Sequence, residues 1–146
     1  MLEGVKKIVV DASVVVKWFV PERYYENAVA LRDAYLNNEV ELIAPELVLY
    51  EVANALRFHK IYKLTVDDIV SAIRDVINLG ITRKVTVENW LYAVKLSFSN
   101  KISIYDAVYG AMALVTNSIL VTSDKELYTR IKDVVNVIML NELSPP

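Results

Sequence analysis

Residues 6–11 read Lys6-Lys7-Ile8-Val9-Val10-Asp11, and this apolar run with an acidic end sets the expected fold class. A short continuous apolar run of this kind is typical of a strand buried in a parallel sheet. The pattern recurs in Ile119-Leu120-Val121-Thr122-Ser123-Asp124, while 40–43 and 134–139 predict two further strands. Because helical patterns separate these strands, the sequence predicts an α/β domain with a central, mainly parallel sheet flanked by helices.

Seven segments with helical periodicity lie between the strands. Ser13 and Thr65 are placed to cap two of them, because a hydroxyl can accept a hydrogen bond from a free N–H of the first turn. Pro45 is well placed as the first residue of a third helix. The predicted helices are 14–19, 22–37, 45–62, 65–80, 86–98, 103–116 and 125–132. Several of them follow one another between the second and third predicted strands, which indicates a helical arm standing off the sheet.

The length and composition of the chain indicate a single domain, 1–146, with 142–146 as a loose tail. Hydrophobic residues make up 55% of the chain and charged residues 23%, which is typical of a globular protein with a substantial core. No apolar run approaches the roughly 20 residues that span a bilayer, and residues 1–7 lack the apolar region of a signal peptide. With no cysteine, the sequence excludes disulfides, zinc–thiolate sites and thiol nucleophiles, and we expect a cytoplasmic location.

Charge and residue types narrow the possible chemistry further. The net charge of −2 gives no overall basic footprint for nucleic acid, although a local patch can suffice. The single histidine, His59, argues against a His-rich metal site and a Ser–His–Asp triad. Three glycines leave no Gly-rich loop to cradle phosphates, which excludes a nucleotide-binding Rossmann or P-loop protein. Any chemistry must therefore depend on carboxylates and hydroxyls.

Four acidic residues lie in or beside apolar segments: Asp11, Glu51, Asp106 and Asp124. Each has an alternative structural explanation. Asp11 and Asp124 can cap the helices that follow them, and Asp106 can complement the dipole in the first turn of its helix. Glu51 can lie on a helix surface, but this explanation fits least well because its helix is apolar on most sides.

The placement of these acids favours a shared metal site. Parallel α/β sheets bind ligands beyond the carboxyl ends of their strands, where Asp11 and Asp124 are placed and where helix N-termini gather. Like charges about 4 Å apart repel by roughly 4 kcal/mol at a protein-like dielectric, so such a cluster needs a cation or raised pKa values. An all-oxygen ligand set favours Mg²⁺ or Mn²⁺.

Three polar residues lie near these acids in the sequence: Ser13, Thr122 and Asn54. Their hydroxyl and amide groups could orient the carboxylates or a bound water. A helix cap for Ser13, a strand-end role for Thr122 and a local backbone bond for Asn54 are equally open.

The chain resembles PIN-domain ribonucleases, and more narrowly the VapC toxins of VapBC toxin–antitoxin pairs. The matching segments are Ile8-Val9-Val10-Asp11-Ala12-Ser13, Pro45 to Leu56, Ile104-Tyr105-Asp106-Ala107-Val108-Tyr109 and Leu120-Val121-Thr122-Ser123-Asp124. Their order and spacing agree from residue 8 to about 140. Each segment alone is weakly specific, but four in order are fairly specific.

The resemblance implies that Asp11, Glu51, Asp106 and Asp124 are the acidic quartet that binds Mg²⁺ or Mn²⁺ and supports hydrolysis of RNA phosphodiester bonds. It also implies a PIN-like fold, a VapB-type antitoxin partner and a homodimer. The acidic overall charge fits a nuclease least well.

RNA contact is expected, by the same resemblance, from basic residues around the pocket. Lys17, Arg57 and Lys60 are the candidates.

Three other classes of function remain open. A PIN-type nuclease could process RNA without a toxin role. A metal-dependent phosphatase also uses strand-end aspartates, but its second Asp is replaced here by Ser13. A non-catalytic interaction module would use the four acids as caps. It would bind partner helices through exposed aromatic residues such as Trp18, Tyr24, Tyr25 or Tyr92.

Overall fold

The computed structural model describes residues 5–143, which form five strands and seven helices. The strands are β1 (Lys6–Val10), β2 (Val40–Pro45), β3 (Thr82–Arg83), β4 (Ile119–Thr122) and β5 (Val137–Met139). The helices are α1 (Ala12–Val15), α2 (Tyr25–Leu36), α3 (Leu47–Arg57), α4 (Val66–Leu79), α5 (Val87–Asn100), α6 (Ile104–Val115) and α7 (Lys125–Ile131). Short 3₁₀ turns follow α1 at Val16–Trp18 and β5 at Leu140–Glu142.

The sheet is parallel throughout, with strand order β3-β2-β1-β4-β5. This confirms the predicted α/β class. β1 lies in the middle, and Val10 pairs with Val121, so the residues after β1 and β4 come out side by side at one edge. From β1 the chain adds β2 and β3 on one side and later returns to add β4 and β5 on the other, and parallel sheets bind ligands at such a switch in strand order.

Helix α6 covers the sheet and contacts β1, β2 and β4. Seven consecutive residues of α6, from Ala107 to Ala113, are buried, because α5 packs against its other side. Gly110 permits this approach, since a Cβ atom there would lie 3.2 Å from the side chain of Leu96. The tight packing fixes the N-terminal end of α6 above the edge where β1 and β4 end.

Helices α3 and α4 form the predicted arm, and α4 packs mainly against α3. Only Ala72 and Val76 of α4 are buried. The helix is nevertheless well defined at both ends, because Thr65 and Asp68 form a capping box and Gly80 ends it in a left-handed conformation. These two ends confirm the limits predicted from the sequence.

Ser13 and Pro45 occupy different positions in the secondary structure from those predicted. Ser13 does not cap α1, because the helix begins at Ala12 and Asp11 occupies the cap position. Pro45 does not begin α3 but is the last residue of β2. Its missing N–H is not needed there, because the bonds to the neighbouring segment come from Ala44 N–H and Glu46 N–H.

Several element limits also differ from the predictions. α3 ends at Arg57 rather than at 62, and β5 begins at Val137 rather than at 134. β3, which has two residues, was not predicted, because so short a strand has no periodicity to detect. In the expected tail, Leu143 packs against the core, and 144–146 lie outside the described residues.

The two tryptophans have different surroundings. Trp18 is buried, and its indole N–H donates to the carbonyl oxygen of Ala28 at 2.8 Å. The prediction that Trp18 offers an exposed aromatic surface is therefore wrong. Trp90 lies on α5 and is 44% exposed.

Within residues 5–143, no helix has the length and apolar character needed to cross a membrane.

Candidate functional site

Asp11 lies at the carboxyl end of β1 and is only 6% exposed. One carboxylate oxygen accepts from the Ser13 hydroxyl and the other from the Thr122 hydroxyl, each at 2.5 Å. Its side chain forms no helix-capping bond, so capping does not explain its presence. Burial raises the pKa of Asp11 to about 6, although the two hydroxyl bonds oppose this shift.

The two hydroxyls that hold Asp11 are themselves fixed by the backbone after β4. Ser13 Oγ accepts from the N–H of Ser123 at 2.9 Å, and Thr122 Oγ1 accepts from the N–H of Asp124 at 3.0 Å. These bonds connect Asp11 to the segment after β4 that contains Asp124. This arrangement agrees with the predicted supporting positions of Ser13 and Thr122.

Glu51 lies in the middle of α3 and is half-buried. Its carboxylate accepts a hydrogen bond of 2.6 Å from the hydroxyl of Tyr109, which is 1% exposed. Burial raises the pKa of Glu51, the bond from Tyr109 lowers it, and the charge of Asp106 raises it further. Burial also raises the pKa of Tyr109 far above its usual range, so this hydroxyl remains a donor at physiological pH.

Asp106 is the common neighbour of the other three acids. Its backbone N–H donates to Ser103 Oγ, which caps α6 and places Asp106 in the first turn. Its charge raises the pKa of both Asp11 and Glu51. Burial raises the pKa of Asp106 itself, and the charge of Asp124 adds to that shift. The four carboxylates are therefore within electrostatic range of one another through Asp106.

Asp124 differs from the other three because it is exposed. Its side chain caps α7 by accepting from the N–H of Leu127 at 3.0 Å. Although Asp124 follows an apolar segment, its position at a strand-to-helix turn keeps it in water. The capping explanation is correct for this residue, and its second carboxylate oxygen is free to face a ligand.

The donor chemistry of these residues fits a hard divalent cation. The side-chain atoms that could bind a metal are all oxygens, which hard cations prefer. Burial raises the pKa of three of the carboxylates, and a bound cation would favour their charged form and lower these pKa values again. Within residues 5–143, no three metal-binding side chains are close enough to form a complete ligand set by themselves. A cation would therefore draw the carboxylates together rather than enter a finished cage.

A cleft of about 150 Å³ adjoins the quartet. Asp106 and Asp124 line it together with Lys101, Ser103 and Arg130. A larger cleft, about 350 Å³, lies near the other end of α6 and is lined by none of the four acids.

Sequence reasoning missed Tyr109, Lys101 and Arg130. Tyr109 carried a usable signal, since a buried tyrosine hydroxyl in an apolar helix needs a partner, which here is Glu51. Lys101 and Arg130 carried no comparable signal.

The surroundings of Asn54 and of the basic residues predicted to contact RNA differ from those expected for a role in the site. Asn54 is exposed, and its side chain forms no hydrogen bond to any residue between 5 and 143. Among the candidates for RNA contact, Lys17 pairs with Glu22 at 3.5 Å, and the Arg57 guanidinium lies over the ring of Phe58. Neither of these cations lines the cleft beside Asp106, and Lys60 does not line it either.

The comparisons with known proteins assign the chain to a family. A family model described as PIN domain matches residues 8–133, and the chain belongs to the PIN-domain family. Ribonuclease VapC3 from Pyrobaculum aerophilum is 30% identical over 125 residues, which cover 83% of this chain and 92% of that protein. The resemblance predicted from the four segments is confirmed.

Solved structures support the same fold. A toxin–antitoxin complex from Klebsiella pneumoniae contains a chain with a TM-score of 0.63 and 15% identity, covering 93% of this chain and 99% of that one. A chain of DNA-bound VapBC from Salmonella typhimurium gives a TM-score of 0.70 at 11% identity, covering 92% and 98%. The PIN-like fold is thereby confirmed.

Proposed function

We propose that this protein is a Mg²⁺- or Mn²⁺-dependent endoribonuclease and the toxin of a toxin–antitoxin pair. The observation that carries the proposal is the position of Asp106, whose carboxylate interacts with Asp11, Glu51 and Asp124 at the edge where a parallel sheet binds ligands. Membership of the PIN-domain family and the similarity to a protein named as a ribonuclease supply the substrate class.

Asp11, Glu51 and Asp106 are the residues that would hold the cation directly. Asp124, which is exposed and bonded to the start of α7, would act through water or position the attacking water. When bound, the cation supplies the positive charge that polarises the phosphodiester and favours attack by water.

The chain itself contributes the rigid placement of these carboxylates. Ser13 and Thr122 hold both oxygens of Asp11, and Tyr109 holds one oxygen of Glu51. Such partners reduce the reorganisation needed when charge builds up on the phosphorus centre. In the hydrolysis, a water oxygen bonds to phosphorus, a P–O bond of the backbone breaks, and the departing oxygen receives a proton.

Digestion of a labelled RNA pool, with and without EDTA, tests the activity. We expect cleavage by the wild type with Mn²⁺, none with EDTA, and a loss of at least about 100-fold for Asp11→Asn and Asp106→Asn. Asp33→Asn is the matched control, because Asp33 is an exposed acid on α2 and, among residues 5–143, pairs only with Arg32. Cleavage at the wild-type rate by Asp11→Asn would refute the assignment.

The partners proposed are a VapB-type antitoxin and a second copy of this chain. Two surfaces carry exposed apolar side chains that a partner could cover. The surface on α3, α4 and their connection includes Tyr50, Phe58, Ile61 and Val66, and that on α5 includes Val87, Leu91 and Phe98. Related structures titled as toxin–antitoxin complexes support an antitoxin of this kind.

Expression in a bacterial host tests the toxin role. The wild type should arrest growth, Asp11→Asn should not, and co-expression of a small DNA-binding protein encoded beside this gene should restore growth. Growth arrest that Asp11→Asn reproduces would contradict the role, whereas RNA cleavage without arrest would indicate an RNA-processing nuclease.

A further inference from the structure

The cleft beside Asp106 and Asp124 has a cationic rim that the acidic quartet does not explain. Lys101 and Arg130 line the cleft together with these two acids. Glu126 also lines the cleft and pairs with Arg130, so Lys101 and Arg130 are the two cations set among its acids. Cations at this position lie where an RNA phosphate would have to approach.

Arg130 lies at the surface, where its guanidinium is hydrogen-bonded to two neighbouring residues. Its Nε and Nη2 atoms donate to Glu126 Oε1 at 3.2 and 3.1 Å, and Nη1 donates to the carbonyl oxygen of Lys101 at 3.4 Å. These bonds join α7 to the residue that ends α5. A guanidinium fixed by two neighbours keeps further N–H groups available and loses little freedom on binding a phosphate.

Lys101 occupies a position where a different residue is expected. It ends α5 with φ at 55°, in the left-handed region that glycine adopts most readily and asparagine tolerates. Its side chain is exposed, and it forms no ion pair with any residue from 5 to 143. A lysine there ends the helix less favourably than glycine, but it adds a positive charge at the cleft.

The charges that face the cleft oppose one another. Asp106, Asp124 and Glu126 are acidic, and Glu126 is already paired with Arg130. Without cations, these acids would repel a phosphodiester, since charges near a protein surface interact by several kcal/mol at contact. A divalent ion can neutralise Asp106 and Asp124, but it cannot hold the phosphates on either side of the one that is cut.

We propose that Lys101 and Arg130 form a subsite for the RNA backbone, in which they bind a phosphate next to the one that is hydrolysed. This inference rests on the proposed ribonuclease function and names the residues that position its substrate. It differs from the expectation for Lys17 and Arg57, which pair elsewhere. Lys101 and Arg130 are positioning residues, so their loss should weaken RNA binding more than it slows the chemical step.

Lys101→Asn is the decisive variant, because asparagine tolerates the left-handed conformation and the loop should keep its shape. In the cleavage assay with Mn²⁺, KM should rise roughly fivefold with little change in kcat, and the slope of log KM against log salt should fall by about one. Lys101→Arg should restore both values. Lys6→Gln is the control, since it removes the same charge from the amino end of β1, at the opposite edge of the sheet.

Binding of the same RNA pool in EDTA, followed by fluorescence anisotropy, gives a readout independent of cleavage. Arg130→Gln should weaken binding in the same direction as Lys101→Asn, and the rise in melting temperature with Mn²⁺ should remain in both. If the wild type cleaves RNA while Lys101→Asn behaves like Lys6→Gln, the subsite is refuted and the ribonuclease function stands. If the wild type neither binds nor cleaves RNA, both proposals fail.

Discussion

Asp11 illustrates how a single residue links stability to the site. It is buried between two hydroxyls, and burial raises its pKa from the ordinary value of 3.8 to about 6. The folded protein therefore binds this proton more tightly than the unfolded chain. The resulting stability is fully present below about pH 4 and is lost as the pH rises through 6.

Urea denaturation in EDTA between pH 4 and 7 measures this effect. Relative to Asp11→Asn, which cannot titrate, the wild type should lose free energy of unfolding on the order of 3 kcal/mol across this range. Glu51 titrates in both proteins and cancels in the comparison, whereas the coupling of Asp106 to Asp11 is part of the difference that is measured. Parallel pH profiles for the two proteins would show that Asp11 is not shifted.

Tyr109 provides a second prediction at this scale. Tyr109→Phe removes the hydroxyl that donates to Glu51 while keeping the buried ring, so the fold should lose only about 1 kcal/mol. Without this donor, Glu51 should be less well ordered and harder to ionise. We expect kcat to fall several-fold and the stabilisation by Mn²⁺ to weaken. Tyr128→Phe, a half-buried tyrosine on α7 away from the cleft, is the control and should change neither.

At the scale of elements, two helices begin with the same capping arrangement in different surroundings. Thr86 and Asn89 cap α5 reciprocally, as Thr65 and Asp68 cap α4. Asn89 is 3% exposed, whereas Asp68 is fully accessible. Loss of the capping threonine should therefore lower the free energy of unfolding more at α5, where water cannot replace its hydrogen bond to the buried Asn89.

Thr86→Ala should lower the free energy of unfolding by about 1–2 kcal/mol, and Thr65→Ala by clearly less. Equilibrium urea denaturation of the two variants beside the wild type measures the difference. An equal or larger loss at Thr65 would mean that burial of the cap partner does not set the cost. Neither variant should alter RNA cleavage under conditions where it is folded.

The elements also show which parts of the fold the sequence predicts. Apolar runs predicted β1 and β4 at their observed limits, because a strand that is buried on both faces consists of consecutive apolar residues. Ser103 and Thr65 marked helix starts because their chemistry is local. Pro45 was assigned to the wrong element, because only the position of its sheet neighbour shows that its N–H is not needed. β3 depends on that same tertiary pairing.

At the scale of the whole molecule, the proposed cation would offset the repulsion between Asp106 and the other three acids. Millimolar Mn²⁺ should therefore raise the melting temperature, and at 100 times the dissociation constant it should add about 2.7 kcal/mol. Thermal denaturation with and without Mn²⁺ measures this, and Asp106→Asn should abolish most of the gain. An unchanged melting temperature in the wild type would argue against a shared cation.

Part of the candidate site could be predicted, because two of its acids follow strands of a parallel sheet. Asp11 and Asp124 end strands, and the parallel sheet brings strand ends together. The exposure of Asp124 could not be predicted, since cap and ligand positions have the same sequence pattern. The contact between Glu51 and Tyr109 joins residues 58 positions apart, and only the tertiary fold, which brings these residues of α3 and α6 together, creates it.

The different surroundings of Trp18 and Trp90 give the molecule two optical reporters. Trp18, buried and hydrogen-bonded to Ala28, should emit at short wavelength until the core unfolds. Trp90, partly open on α5, should emit at longer wavelength and shift when another protein covers that helix. Intrinsic fluorescence can therefore distinguish melting of the domain from assembly on its surface, without any attached dye.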